Sequence, residues 1–378
     1  MKFGEYLIMI IGAVKEKHKF ENRVAISPEE AKNYVKSGHQ VLIEKSAGLA
    51  SGFTDASYKE AGASISSAKE ILKKSQILVK IQLTSNEEIK EMQANSILIS
   101  QVNVNSSADL IKSLNAKKVS LFALERIPQN NKSTKYGYLS SQANLAGYHA
   151  VIDAAAEFNR VLPMFMTAAG KINPANVLVV GAGVAGLQAI ATAKRLGSIV
   201  YATDVRAASK EQVESLGGKF VMVEDKESQD AETSGGYAKE MSAEYQKKQE
   251  ALLAETLKKI DIVICTAQIP GRKAPLIIKK YMLDNMNAGS VIVDLAVETG
   301  GNCEFSQVGK IINKNGVKIV GHANVPGRVA NNASSLFSKN ISNFLALMNF
   351  ESKKSLYDKN DEIIKATLVC TNGKILIK

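Results

Sequence analysis

The sequence predicts an α/β fold: two doubly wound, Rossmann-like domains with parallel sheets, joined by two long helices. Three observations carry this. Short apolar runs alternate with amphipathic stretches in two successive sets, as strands with covering helices require. A glycine-rich turn opens the second set, between a buried run and a helix. Two long helical patterns, starting at Ser140 and at Ala330, bracket that set. The length agrees, since 378 residues make about two and a half domains of ordinary size.

In chain order, the first set places strands at Ile8–Val14, Val41–Ile43, Ile77–Ile81, Ile97–Val102 and Val119–Ala123. Helices are expected between them, at Pro28–Lys36 behind Ser27, Ser67–Lys74, Asn86–Met92 and Ser107–Leu114. The acids Glu29, Glu30, Glu87 and Glu88 stand in first turns, where the helix dipole favours them. An Ala-rich helix follows over Ser140–Val161 and stops before Pro163. The second set has strands at Val177–Val180, Ile199–Thr203, Phe220–Val223, Ile262–Thr266, Val291–Asp294 and Lys318–Val320, then a helix over Ala330–Met348. These patterns give a first domain of residues 1–139 with 349–378 and a linking helix over 140–165. The second domain covers 166–329, and a second linking helix covers 330–348. One connection is long: 38 residues, Glu224 to Asp261, join the third and fourth strands of the second set. Its first half is polar and holds Gly235-Gly236 beside Tyr237; its second half reads as a charged helix. A surface insertion and a lid over a ligand are both open readings.

Composition removes several function classes. The apolar fraction is 45% and the charged fraction 22%, which suits a globular chain and not a disordered one. The apolar stretch Tyr6–Val14 is far shorter than the roughly 20 residues of a membrane helix. Lys15, Glu16 and Lys17 follow it where a signal peptide would have a small-residue cleavage site. Insertion into a membrane and export are therefore not expected. The net charge is +11, but the lysines are scattered, Trp is absent and aromatics are 6%, so a nucleic-acid face is not indicated. Cys265, Cys303 and Cys370 lie far apart, without metal spacing, as suits a reducing cytoplasm.

The strongest local signal is Val177-Leu-Val-Val-Gly181-Ala-Gly183-Val-Ala-Gly186. It follows a buried strand, opens a helix, and a second strand ends in Asp204, 18 residues after Gly186. That is the context of a dinucleotide-binding turn. Gly181 permits the tight turn, Gly183 lets backbone N–H groups approach a pyrophosphate, and Gly186 lets helix and strand pack closely. Asp204 stands where an acid accepts the adenosine ribose hydroxyls and repels a 2′-phosphate, which favours NAD(H) over NADP(H). Arg206 leaves two readings open: it neutralises Asp204, or it stacks on the adenine. His18, His39, His149 and His322 each stand alone, and only His322 falls at the cofactor edge of such a sheet.

Several stretches resemble the NAD(H)-binding component of proton-translocating NAD(P) transhydrogenase: Ser140–Asp153, Gly183–Gly197, Asp204-Val205-Arg206, Glu211–Phe220, Ala231–Met241, Asp294–Cys303 and Gly321–Pro326. The resemblance runs from about Met9 to Phe350. It implies a peripheral cytoplasmic homodimer on the inner face of the bacterial plasma membrane. Hydride passes from NADH to NADP+ held on a beta subunit, which binds NADP(H), and a membrane-spanning second chain of the alpha subunit takes part in coupling to proton movement. The long connection matches that family's mobile loop, about 224–250, with Gly236, Tyr237 and Met241 near its tip. The resemblance also carries cofactor contacts to Val184, Val205, Arg206, Ala267 and Gln268, and to Ser140.

The same family places an Arg, a Gln and an Asp around the nicotinamide. Arg126 matches the Arg and is the expected catalytic position, with Ile127 and Pro128 beside it as cofactor contacts. Gln129 stands too near Arg126 to be the usual Gln, and Gly137 occupies about the place of the Asp. Alanine dehydrogenase is similar in fold. Arg23 and Lys80 match two of its substrate residues, but Ser100-Gln-Val-Asn stands where its acid–base His belongs. The alternatives to a transhydrogenase component are an alanine dehydrogenase-like NAD-dependent enzyme and a non-catalytic NAD(H)-binding protein.

Overall fold

Apolar runs that are buried on both faces set the architecture. The computed structural model describes residues 7–128, 133–223, 241–269, 271–350 and 356–377. It divides into two units, Met1–Gln142 with Gly327–Lys378, and Ala143–Pro326.

In the first unit, β1 (Ile10–Ala13), β2 (Gln40–Glu44), β3 (Ser64–Ser66), β4 (Ile77–Val79), β5 (Ile97–Ser100) and β6 (Ser120–Ala123) run parallel in the order β3-β2-β1-β4-β5-β6. Successive side chains point to opposite faces. Ile77 and Val79 of β4 join a core with Ile11, Ile99 and Phe122, whereas Leu78 joins another with Leu98 and Leu121. A strand covered on both faces has no polar alternation, hence the unbroken runs. The covering helices α1 (Pro28–Lys36), α2 (Asp55–Glu60), α3 (Ala68–Lys74) and α4 (Asn86–Glu91) are capped by Ser27, Thr54, Ser67 and Ser85, each accepting a backbone N–H. Helix α5 (Ala108–Ala116) starts one residue after the expected Ser107 and runs past Leu114; the Ser107 hydroxyl donates to the Val102 carbonyl and does not cap it.

In the second unit, β9 (Asn176–Val180), β10 (Ile199–Thr203), β11 (Lys219–Phe220), β12 (Ile262–Cys265), β13 (Val291–Asp294) and β15 (Val317–Gly321) are parallel in the order β11-β10-β9-β12-β13-β15. Strand order reverses between β9 and β12, so a crevice opens beyond their carboxyl ends. Helix α6 (Tyr138–Glu157) ends short of Val161, and Arg160 beyond it pairs with Asp261 at 2.8 Å. Helix α7 (Val184–Arg195) follows β9, and α8 (Ser209–Ser215) follows β10. Strand β11 has only two residues, against the Phe220–Val223 expected.

Several elements go beyond what the sequence predicts. Besides α2 and β3, they include antiparallel β14 (Lys310–Lys314) on β15, antiparallel β16 (Leu368–Thr371) on β6 with β17 (Lys374–Ile375), and a separate hairpin, β7 (Phe165–Thr167) with β8 (Gly170–Ile172). Helix α9 (Ala243–Leu257) starts behind Ser242, so residues 243–250 of the expected loop are helical; residues 224–240 lie outside the described residues. Helix α11 (Ala330–Leu345) follows the short α10 (Lys280–Leu283) and stops three residues before the expected end at Met348. Helix α12 (Glu362–Thr367) is capped by Asp361. Among the described residues, no helix is long and apolar enough to cross a membrane.

Candidate functional site

The glycine turn lies at the strand-order reversal of the second unit. Gly181 follows β9 at φ +93, a left-handed conformation that favours glycine, and its N–H donates to the Thr203 carbonyl at 2.8 Å. Thr266, just beyond β12, donates its hydroxyl between the carbonyls of Val180 (3.1 Å) and Gly181 (2.9 Å). A Cβ on Gly186 would stand 1.9 Å from the Gly181 oxygen, so the first turn of α7 rests on the glycine turn itself. Gly183 behaves differently: it is the N-cap of α7, makes no side-chain cap bond, and a Cβ there would meet nothing within 4 Å. Val184, the first helical residue, is 41% exposed. The start of α7 therefore presents uncapped N–H groups and a positive dipole end to open space, which fits a pyrophosphate.

Asp204, at the end of β10, is buried. Its Oδ2 accepts the Ala182 N–H (2.8 Å), which ties the second strand to the glycine turn. Arg206 donates to it three times: backbone N–H and Nε to Oδ1 (2.9 Å each), and Nη2 to Oδ2 (2.8 Å). Burial acts to raise the Asp204 carboxyl, but the Arg206 guanidinium and the two backbone N–H groups outweigh it and hold it below the usual range. Of the two readings of Arg206, the structure has the neutralising one. Val205 packs on a small cluster of Met241 and Tyr245. Met241 is buried there, just before α9.

On the far side of the crevice, Ala267 is held by a side chain to which sequence reasoning assigns no role. The buried Asn302 amide accepts the Ala267 N–H (3.0 Å) and donates to the Ala267 carbonyl (2.9 Å) and to Pro275 (2.8 Å). Asn302 is itself fixed by Asp294, whose carboxylate accepts the N–H groups of Ala296, Asn302 and Cys303 and the Ser306 hydroxyl. Gln268 is exposed, and its amide donates to the Leu295 carbonyl at 2.8 Å. The signal for this network was the position of Asp294 at the end of a buried strand. Burial pushes the Cys265 thiol well above its ordinary value and that of Cys303 up to about 11, so neither supplies a thiolate at neutral pH. Half-buried His322 directly follows β15. Among the described residues no cluster of His, Cys, Asp or Glu is fit to hold a metal.

Of the remaining expected residues, Arg126, Ile127, Pro128, Ser140, Arg23 and Lys80 belong to the first unit. Arg126 follows β6, is exposed, and donates Nε to the Ala366 carbonyl at 2.9 Å. Ile127 is buried, Pro128 half-buried, and Ser140 half-buried in the first turn of α6. Arg23 is engaged by Glu21 (2.7 Å) and Gln142 (2.8 Å), and Lys80 by Glu88 (2.9 Å). Gly236 and Tyr237 lie outside the described residues, as does Gln129.

Comparison with known proteins matches both halves of the chain. Residues 12–146 match the N-terminal domain of alanine dehydrogenase/PNT, and residues 150–378 match its C-terminal domain. The first part of the NAD(P) transhydrogenase subunit alpha of Rhodospirillum rubrum is 49% identical over 375 residues, covering 97% of this chain and 98% of that one. The crystal structure of transhydrogenase from Sinorhizobium meliloti superposes with a TM-score of 0.89 at 44% identity, covering 97% of this chain and all of that one. The alanine dehydrogenase of Methanococcus maripaludis is more distant, 28% identical over 376 residues, or 97% of this chain and 94% of that one. The chain belongs to the alanine dehydrogenase/PNT family, on the side of the NAD(P) transhydrogenase alpha subunits.

Proposed function

We propose that this chain is the NAD(H)-binding subunit of a proton-translocating NAD(P) transhydrogenase. It passes a hydride between NADH and NADP+ held on a partner subunit. The observation that carries this reading is the open, uncapped start of α7 at the strand-order reversal, with Asp204 just beyond the neighbouring strand. The N–H groups around Gly183 and Val184 suit the pyrophosphate, and Asp204 suits the ribose diol. Ala267 and Gln268 would line the opposite wall of the crevice; Arg126 would orient the nicotinamide, and Ile127, Pro128 and Ser140 would be cofactor contacts. When bound, the nicotinamide supplies the hydride chemistry. The protein's part is to orient and to exclude water, so no side chain has to exchange a proton and no flavin is required. Activity then depends on an NADP(H)-binding beta subunit and on a membrane-spanning second chain of the alpha subunit that couples transfer to proton movement. The chain sits in the cytoplasm, peripheral on the inner face of the bacterial plasma membrane.

Nucleotide fluorescence titration tests the site. NADH is expected to bind much more tightly than NADPH, and Asp204→Ala to weaken NADH by about 1–3 kcal/mol. Mixed with the NADP-binding component of the same organism, the chain is expected to catalyse hydride exchange. Equal affinities for NADH and NADPH would count against the ribose assignment.

A homodimer forms part of the same proposal, and the β7–β8 hairpin supports it. The hairpin belongs to neither large sheet, and all six of its strand residues are exposed, Met166 by 73%. Met164, Phe165, Met166 and Ile172 give it an apolar surface. An isolated two-stranded hairpin is marginal in water, and a second copy of the chain would cover it. The pair Phe165→Asp and Met166→Asp is expected to turn a dimer into a monomer in sedimentation, with NADH affinity largely kept. A wild-type monomer at micromolar concentration would contradict the dimer.

A further inference from the structure

We propose that Arg206 is an internal competitor for the adenosine ribose: its guanidinium holds the two acceptor positions of Asp204 that the ribose diol takes, and it is displaced on binding. The inference rests on the nucleotide-site reading above. A carboxylate offers about four acceptor positions. On Asp204 all four are filled by the chain, two by the backbone N–H groups of Ala182 and Arg206, and two by Arg206 Nε and Nη2. The backbone donors belong to the glycine turn and to the β10–α8 connection, where the Arg206 carbonyl also accepts the Ser209 N–H at 3.1 Å. They stay in place without moving the fold. The guanidinium is the part that can leave, since rotation about its own side-chain bonds carries it off, and it retains 17% exposure.

The exchange is matched in number and direction. The guanidinium gives one N–H to each carboxylate oxygen, side by side, in the fork that this group forms on carboxylates. A vicinal diol gives one O–H to each oxygen in the same way. Two donors leave as two arrive, and the buried carboxylate is never left short of partners. The cost is that nucleotide binding must first break at least the two charge-assisted bonds to Asp204. A bare Asp204 would bind the diol more tightly, at the expense of a buried, unneutralised carboxylate in the empty protein. Arg206 therefore lowers affinity for the nucleotide while protecting the free chain, which suits a subunit that must release its dinucleotide after every transfer.

The test compares the wild-type chain with Arg206→Ala and Arg206→Lys. NADH, AMP and 2′,3′-dideoxy-AMP are titrated, and thermal melting is recorded alongside. Arg206→Ala is expected to tighten NADH and AMP on the order of 10-fold, to leave dideoxy-AMP unchanged, and to lower the melting temperature of the free protein. Arg206→Lys keeps a cation without the planar fork, and is expected to tighten NADH and AMP by a smaller factor. It serves if the Ala variant does not fold. Weaker or unchanged NADH binding in the variants overturns the inference, because Arg206 would then assist the nucleotide or ignore it. An equal gain for dideoxy-AMP also overturns it, since the effect would not pass through the diol. A wild-type chain that binds neither NADH nor AMP overturns the nucleotide-site reading, and the inference with it.

Discussion

Gly186→Ala is expected to reduce NADH affinity by at least about 100-fold and to lower the melting temperature by several degrees. The added Cβ would stand 1.9 Å from the Gly181 carbonyl oxygen, 2.9 Å from its carbon and 3.1 Å from Thr266 Oγ1. Two of these three atoms are backbone and cannot rotate away. Helix α7 must therefore lift off the turn, which carries its first N–H groups away from the phosphates and strains the Thr266 bridge. Gly183→Ala is the control. Its Cβ enters open space and its φ of −78° suits any residue, so melting should match the wild type. NADH affinity should still fall, because the new methyl stands where the pyrophosphate approaches. The two variants thus separate the packing role of one glycine from the approach role of the other. Wild-type melting and wild-type affinity in Gly186→Ala would show that the turn and α7 are not in the contact described.

What is legible in the sequence follows from local rules. The glycine turn can be read because each glycine answers a steric demand inside ten residues, and the central strands because burial on both faces leaves continuous apolar runs. The two antiparallel edges also carry a local signal. Asn315-Gly316 joins β14 to β15 and Asn372-Gly373 joins β16 to β17, all four residues at positive φ, as tight hairpins demand. The strand-then-helix alternation of the rest of the chain masks them. Strand β3 is hidden for a different reason: Ser64-Ile65-Ser66 has one apolar residue and takes its place by pairing with β2. The Asp294–Asn302 support beneath Ala267 depends on contacts between residues far apart in the chain. No spacing rule marks an Asn whose amide brackets a distant peptide. Arg206 shows the same limit on a smaller scale. Its neighbour Asp204 can be read from position alone, but whether the guanidinium faces the acid or the ligand is decided by a side-chain rotation that the sequence does not record.

Arg126→Ala is expected to slow hydride exchange with the NADP-binding component on the order of 100-fold, while NADH affinity falls only a few-fold. The separation follows from where binding and orientation are divided. The groups proposed to hold the pyrophosphate and the ribose all belong to the second unit, at α7 and Asp204. Arg126 belongs to the first, at the end of β6, with Nε anchored on the Ala366 carbonyl. Glu125 beside it holds the Val102 N–H at 3.0 Å, so this segment is tied to the strand end before it. Under the proposed function, the variant would keep the groups proposed for the phosphates and adenosine and lose the one proposed to orient the nicotinamide ring. Direct transfer between two rings requires them within about 3–3.5 Å, and a misplacement of about 1 Å is enough for a loss of this size. The measurement also separates catalysis from mere binding. The loop after Arg126 departs from the family pattern, with Gly137 near the place of the usual Asp. If that departure has cost the orienting function, the wild-type chain will bind NADH normally and show no exchange with a competent partner, and Arg126→Ala will change nothing. Rapid wild-type exchange that collapses in the variant, at nearly constant NADH affinity, identifies a working hydride-transfer subunit and excludes a protein that only binds NADH.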